Sequence, residues 1–175
     1  MSMGPARDLG PCILAWGADT LGPFWEEVRF KFEETFAEVF ESAFGTTPVD
    51  TVFTGSGPCE LTVPFTRITL AQLISLTQGG SQSGTAPSGN MTVDAIAQGV
   101  AMYDNSKPLF VKPIVAGVAA ANGSWLRLEH AYPVPLYDIV YNNKDQRVYN
   151  VVFKGFPDAT TRKQWSVGKV NGATT

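Results

Sequence analysis

Residues 28–40 set the first limit on what this chain can fold into. Val28, Phe30 and Phe32 fall on one side of an extended chain while Arg29, Lys31 and Glu33 fall on the other, the period of two that a half-buried β-strand requires. Phe36, Glu38 and Phe40 continue the even side, with Ala37 and Val39 opposite. The phase blurs at Glu33-Glu34, where a bulge or a hairpin turn fits. A helix would need apolar residues three and four apart, so this stretch commits the chain to sheet.

The same alternation recurs along the chain. Residues 12–16 read as a short strand closed by the turn signal Gly17-Ala18-Asp19, and Leu21-Gly22-Pro23 breaks the chain again. Cys59, Leu61, Val63 and Phe65 alternate with Glu60, Thr62 and Thr66. Pro64 has no N–H for a ladder bond, which places that strand at an edge or at a bulge. Further strands are expected near residues 91–102, 109–116, 125–132 and 148–156, with Asn142-Asn143-Lys144-Asp145 as a hairpin tip between 137–141 and 148–153. One helix stands out, over residues 70–77. Thr69 stands at its N-cap, Gly79-Gly80 ends it, and Leu70, Leu73, Ile74 and Leu76 form its apolar face. Residues 42–58, with Gly45, Pro48, Gly55, Gly57 and Pro58 among Thr and Ser, read as a long loop. Residues 79–90 read as a mobile Gly/Ser linker and residues 161–175 as a polar, loosely ordered tail. Many short strands with one helix imply a mainly β fold: a two-sheet β-sandwich or barrel with one flanking α-helix, as a single domain over residues 1–160.

Composition narrows the function. A chain of 175 residues suits one domain and needs no disulfide or metal to hold it. Charged residues make up 17%, against roughly 25% in an ordinary globular domain. So neutral a surface suits a subunit that buries its outside in an assembly, although a Thr/Ser/Gly-rich monomer surface would look the same. The net charge of −3, with no Lys/Arg cluster, argues against a protein that grips nucleic acid by its phosphates. Cys12 and Cys59 read as small buried hydrophobes in a reducing compartment. No secretory pattern and no run of about 18–20 apolar residues is present, so a soluble protein made in a cytoplasm is expected, with no membrane partner.

Candidate chemistry is sparse. His130 has no neighbouring Cys or His and reads as a hydrogen-bonded structural residue. No serine lies in a G-x-S-x-G elbow, and no Walker-type loop exists. No catalytic residue, metal or cofactor is expected. Glu26, Glu27, Glu33, Glu34, Glu38 and Glu41 lie along one strand region, where a glycosidase would need carboxylates facing across a cleft. They fit a solvated strand face, paired in part with Arg29 and Lys31, or an acidic stripe lining a channel. Trp16, Trp25, Trp125 and Trp165 could stack on a sugar, so a carbohydrate-binding sandwich is the rival from another class; aromatics in sandwiches more often sit in cores and interfaces.

Taken in order, several phrases carry a resemblance. They are the strand–turn opening to Leu21-Gly22, then residues 28–34, the phrase Gly45-Thr46-Thr47-Pro48-Val49-Asp50, and Leu61-Thr62-Val63-Pro64-Phe65. Ile68-Thr69-Leu70-Ala71-Gln72-Leu73 and residues 151–158 complete the series. Over roughly residues 8–158 the chain resembles the tail tube proteins of long-tailed bacteriophages. The resemblance implies two packed sheets with a flanking helix, assembling as six-membered rings stacked into a tube through which DNA passes without specific binding. It implies a non-enzymatic virion tail protein, made in the host bacterial cytoplasm. Its partners would be copies of itself and the tape-measure, baseplate and terminator proteins. A tube-initiating baseplate protein, a tail terminator and a secretion-tube ring share that fold and are the nearest alternatives. On this footing residues 42–58 are expected to bridge rings through Phe44, Thr47, Pro48, Val49, Asp50, Val52 and Phe53. Four large hydrophobes, Phe44, Val49, Val52 and Phe53, would be the anchors. Glu33, Glu38 and Glu41 are the candidates to line the channel, and the phase break near Glu34 leaves open whether they share a face.

Overall fold

The computed structural model describes residues 11–22, 24, 27–66, 68–84, 89–95, 98–115, 118–119, 123–136 and 148–168. The expected hairpin tip at 142–145, Trp25 and Glu26 lie outside them. In chain order the elements are β1 (Cys12–Trp16), β2 (Asp19–Leu21), β3 (Arg29–Phe40), β4 (Pro48–Phe65) and α1 (Leu70–Leu76). They are followed by β5 (Gly80–Ser83), β6 (Asn90–Val93), β7 (Lys107–Val115), β8 (Val118–Ala119), β9 (Trp125–Leu136), β10 (Tyr149–Phe156) and β11 (Trp165–Gly168).

One antiparallel sheet runs in the order β2-β1-β7-β9-β10-β4-β3, with β11 added to β9 and β8 to β7; β5 and β6 form a separate pair. The mainly β fold with one short helix is therefore as expected. β9 is the strand on which the sheet turns. One of its edges pairs with β7, while β10 takes residues 130–136 and β11 takes residues 125–128. Trp165 on β11 then meets Phe30 and Phe32 of β3, at ring-centroid distances of 5.4 and 5.5 Å. Strands from opposite parts of the sheet order thus face each other across one core, in a sandwich-like arrangement.

Alternation explains what fills that core. Leu14 and Trp16 of β1, Leu109 of β7 and Leu128 of β9 meet Leu61 and Val63 of β4 and Val151 and Phe153 of β10, all buried. Each such side chain contributes about 1.5–3 kcal/mol on burial. Trp16 has a polar edge to satisfy, and its Nε1 donates to the Ala131 carbonyl at 2.9 Å. Helix α1 closes one side with Leu76. It starts where the sequence says, at a capping box. Thr69 Oγ1 accepts from the Gln72 N–H, and Gln72 Oε1 accepts from the Thr69 N–H, which satisfies two of the end's orphan donors. Gly79, at φ 77°, takes the left-handed turn after it. Pro64 lies beyond Arg29↔Thr62, the first rung that β3 makes with β4, so the missing N–H costs nothing on that side. Burial pushes the Cys59 thiol up to about 11, with the Glu60 charge adding to it, and burial also raises Cys12. Both are free thiols.

Four expectations are corrected. Residues 42–58 are not a loop: a 3₁₀ turn over Ser42–Phe44 leads into β4, which starts at Pro48. Of the glycines that look like breaks, Gly57 lies at a register shift, Gly55 pairs with Thr35 beside one, and Gly45 stays in the tip turn. The β3–β4 register shifts at Phe32/Glu34, Thr35/Phe36 and Val39/Phe40, each time with the extra residue on β4. Bulges of this kind bend a strand and increase its twist without ending it. Residues 79–90 are not all linker, since β5 pairs with β6 and Ser81 Oγ meets Thr92 Oγ1 at 2.8 Å. The strand expected over 91–102 stops at Val93. Within the expected loose tail, Trp165–Gly168 is a strand, held on β9 by pairing and on β3 by the Trp165 ring.

Gly57 is the tightest point of the hairpin. A Cβ there would lie 1.9 Å from the Glu33 carbonyl oxygen, so β3 can approach β4 only because the side chain is missing. Gly57→Ala is expected to cost about 2–3 kcal/mol, read as a lower urea midpoint with unchanged slope. Gly55→Ala, where a Cβ would meet only Thr35 Oγ1 at 3.6 Å, should stay within about 0.5 kcal/mol.

Candidate functional site: an exposed β-arm

Past the rung Phe32↔Cys59, β3 and β4 leave the body as a two-stranded arm. Every residue of β3 from Glu33 to Phe40, and of β4 from Pro48 to Ser56, is exposed. The rungs Phe36↔Phe53, Glu38↔Thr51 and Phe40↔Pro48 share one face, and Ala37↔Val52 and Val39↔Asp50 share the other. Both faces are therefore apolar in part. Phe36 is 61% exposed, Phe53 72% and Phe44, at the tip, 61%. Val39, Phe40, Val49 and Val52 are exposed as well. Monomeric proteins rarely leave so continuous an apolar surface uncovered.

The seven residues expected to bridge subunits all fall on this arm. Phe44 and Thr47 lie in the tip, and Pro48, Val49, Asp50, Val52 and Phe53 lie on β4. They are exposed, as a contact surface must be, but they are held in a strand. The sequence reading missed Phe36, Val39 and Phe40. For Phe36 and Phe40 the signal was the even-side alternation itself, which looks the same whether the phenylalanines meet a core or stand in the open, and Val39 stood on the opposite side.

The three glutamates proposed for a channel do not share a face. Glu33 is on the Arg29–Lys31 side, and its Oε1 accepts from Lys31 Nζ at 2.7 Å. That is an exposed pair of the kind worth about 0–1 kcal/mol. Glu38 is on the phenylalanine side by alternation. Glu41 precedes the tip turn and makes no capping bond. Glu34, Glu38, Glu41 and Asp50 have no cationic partner among the described residues.

Of the tryptophans, Trp16 and Trp125 are buried and Trp165 packs edge-on against Phe30 and Phe32. These three offer no open platform for a sugar ring.

A second polar cluster joins Ser106, His130 and Asp158. Ser106 Oγ lies 3.1 Å from His130 Nδ1, and His130 Nε2 lies 3.4 Å from Asp158 Oδ2. The Ser106 hydroxyl donates its proton to the Tyr103 carbonyl at 2.6 Å, so toward the imidazole it serves as an acceptor. Tyr103 stacks on His130 at 4.7 Å, and its hydroxyl accepts from the Ala159 N–H. Asp158 Oδ1 accepts from the Thr160 and Thr161 N–H groups and from the Thr161 hydroxyl. The cluster ties the 103–106 turn, β9 and the turn before β11 together.

No protein-family model matches the chain, and no curated protein matches it in sequence. Solved structures do match in fold. One is the sheath/tube terminator of the PVC extracellular contractile injection system in its extended state. It is 11% identical, with 87% of this chain and 94% of that chain covered, at a TM-score of 0.54. A second is from the extended sheath-tube complex of that system, at 12% identity, 93% and 90% coverage and a TM-score of 0.56. A third is the tube-terminating cap of the anti-feeding prophage, at 10% identity, 97% and 95% coverage and a TM-score of 0.53. The likeness is one of fold.

The Asp158 carboxyl is held down to about 2, first by the Thr161 N–H, then by the Thr161 hydroxyl, with His130 and Thr160 contributing. A depressed carboxylate stabilises the folded state fully above its unfolded value of about 3.9 and loses that contribution as the pH falls through about 2. Asp158→Asn should remove this part of the acid dependence between about pH 4 and pH 2. Tryptophan fluorescence during acid titration, with Trp165 on the adjoining β11, reads it.

Proposed function

We propose that this chain is a structural subunit of a tail-type tube, which associates with copies of itself through the β3–β4 arm. The observation that carries the proposal is the arm's exposure of apolar side chains on both faces of a ribbon. The fold likeness to tube and terminator proteins supports it. In this reading six copies close a ring, rings stack into the tube of a virion tail, and DNA passes along the channel. Tape-measure, baseplate and terminator proteins meet the tube along its length and at its ends. The protein carries out no reaction. Residues 33–56 hold five carboxylates and no Lys or Arg, so wherever Glu33, Glu38 or Glu41 faces the channel it offers phosphates nothing to hold.

A second reading is a tube terminator, one ring that ends the stack, favoured because two of the three fold neighbours above are a terminator and a terminating cap. Negative-stain microscopy of the purified chain separates the two: tubes of many rings for a tube subunit, single rings for a terminator. Monomers at every concentration would overturn both.

Replacing the cross-strand pair, Phe36→Ser with Phe53→Ser, is expected to leave unfolding stability within about 1 kcal/mol of the parent, because neither ring is buried. The variant should sediment as a monomer where the parent assembles.

A further inference from the structure

The arm's carboxylates restrict what can cover it. Glu34, Glu38, Glu41 and Asp50 stand among the exposed hydrophobes with no cation beside them among the described residues. A purely apolar partner would strip their water and return nothing. The occupant's surface must therefore pair apolar area with a cation that has no carboxylate of its own.

The body carries such a surface. A cleft of about 200 Å³ lies between α1 and β9, lined by Trp16, Gln78, Asn105, Lys107, Tyr132 and Pro133 among others. Lys107 is the charged group in its lining. Its Nζ rests over the Trp16 ring at 4.5 Å, and it has no carboxylate partner among the described residues. A lysine held only by a ring can swing to a carboxylate and uncover the aromatic floor beneath it. Tyr132 is anchored there by donating its hydroxyl proton to Gln78 Oε1.

Position makes the match head-to-tail. The arm leaves the body past Cys59↔Gly155, a rung level with Ala131 on β9, and extends toward the Trp125 end of that strand. Lys107 pairs with Ala131 and so stands level with the base of the arm, and Tyr132 and Pro133 follow along β9 toward Leu136. The arm extends away from that level, so its tip and the cleft are different surfaces of the subunit, and a contact between them is heterologous, the kind that repeats from copy to copy.

We infer that the arm tip of one copy seats in the Lys107 cleft of a second copy, with Phe44 against Trp16, Tyr132 and Pro133 and Glu41 paired to Lys107. This rests on self-association through the arm and names its receptor. The test is a charge exchange in the full chain, read by sedimentation and microscopy. Lys107→Glu alone and Glu41→Lys alone should each raise the concentration needed for assembly about tenfold or more, and the two together should restore it. Lys107→Met, which keeps the apolar stem over Trp16, should weaken assembly and remove part of its salt dependence; circular dichroism melting confirms that each variant folds. If the Lys107 variants assemble like the parent while Phe36→Ser with Phe53→Ser does not, the cleft is not the receptor and the arm still mediates association. Failure of the double exchange to restore assembly in folded protein would also overturn the pairing. If the arm variant itself assembles normally, the broader proposal falls with it.

Discussion

A ribbon of two strands has no second layer against which to bury its side chains. The β3–β4 hairpin is in that position from Glu33 to Ser56, where every strand residue on both sides is exposed. Within the body the same two strands obey the ordinary rule, with Cys59, Leu61 and Val63 buried and Pro58 and Thr62 exposed. The change from one-sided burial to none occurs within a few residues, at the bulge where Glu33 passes Gly57. The arm's exposed hydrophobes lie beyond that point, and the buried core lies outside the arm.

Gly57 connects the two regimes. Its missing Cβ lets the Glu33 backbone come in at a distance no side chain would permit, and all three register shifts add their extra residue to β4. A strand that is repeatedly longer than its partner must coil around it. The arm's direction is therefore set by backbone geometry and not by contacts along its own length, which is what allows those contacts to be made with another molecule. On the body side, Phe30 and Phe32 are clamped by Trp165, so the base of the arm is fixed while its outer part is free of the core.

Much of the body was legible in the residues. β1, the body half of β4 and the cap of α1 follow from alternation and from Thr69 with Gln72, signals that local sequence carries by itself. The outer half of β4 was not legible. Gly55, Gly57 and Pro48 are turn residues in most contexts, and only the partner strand decides that here they are a paired rung, a bulge and a strand start. β11 was hidden for a related reason: four residues, Trp165-Ser166-Val167-Gly168, show no pattern until β9 offers an edge and β3 offers two rings. The candidate site was legible in composition and not in form. Phe44, Val49, Val52 and Phe53 stood out as hydrophobes in a polar stretch, whereas Phe36 and Phe40 were concealed by a regular alternation that usually signals burial.

The arm's charge bears on how such a surface is kept from harm. With the chain at −3 and residues 33–56 at −5, the remainder carries +2. Two arms meeting edge to edge would bring like charges together, among them Glu34 and Glu38 on β3, whose outer edge has no pairing strand among the described residues. Charged residues on a free edge strand are a common protection against unwanted pairing. An arm meeting a body meets the opposite sign. The same carboxylates that oppose arm-to-arm aggregation therefore favour arm-to-body contact, and the preference needs no residue beyond those already exposed. The distribution of charge, more than its total, decides between disordered association and an ordered, directional one.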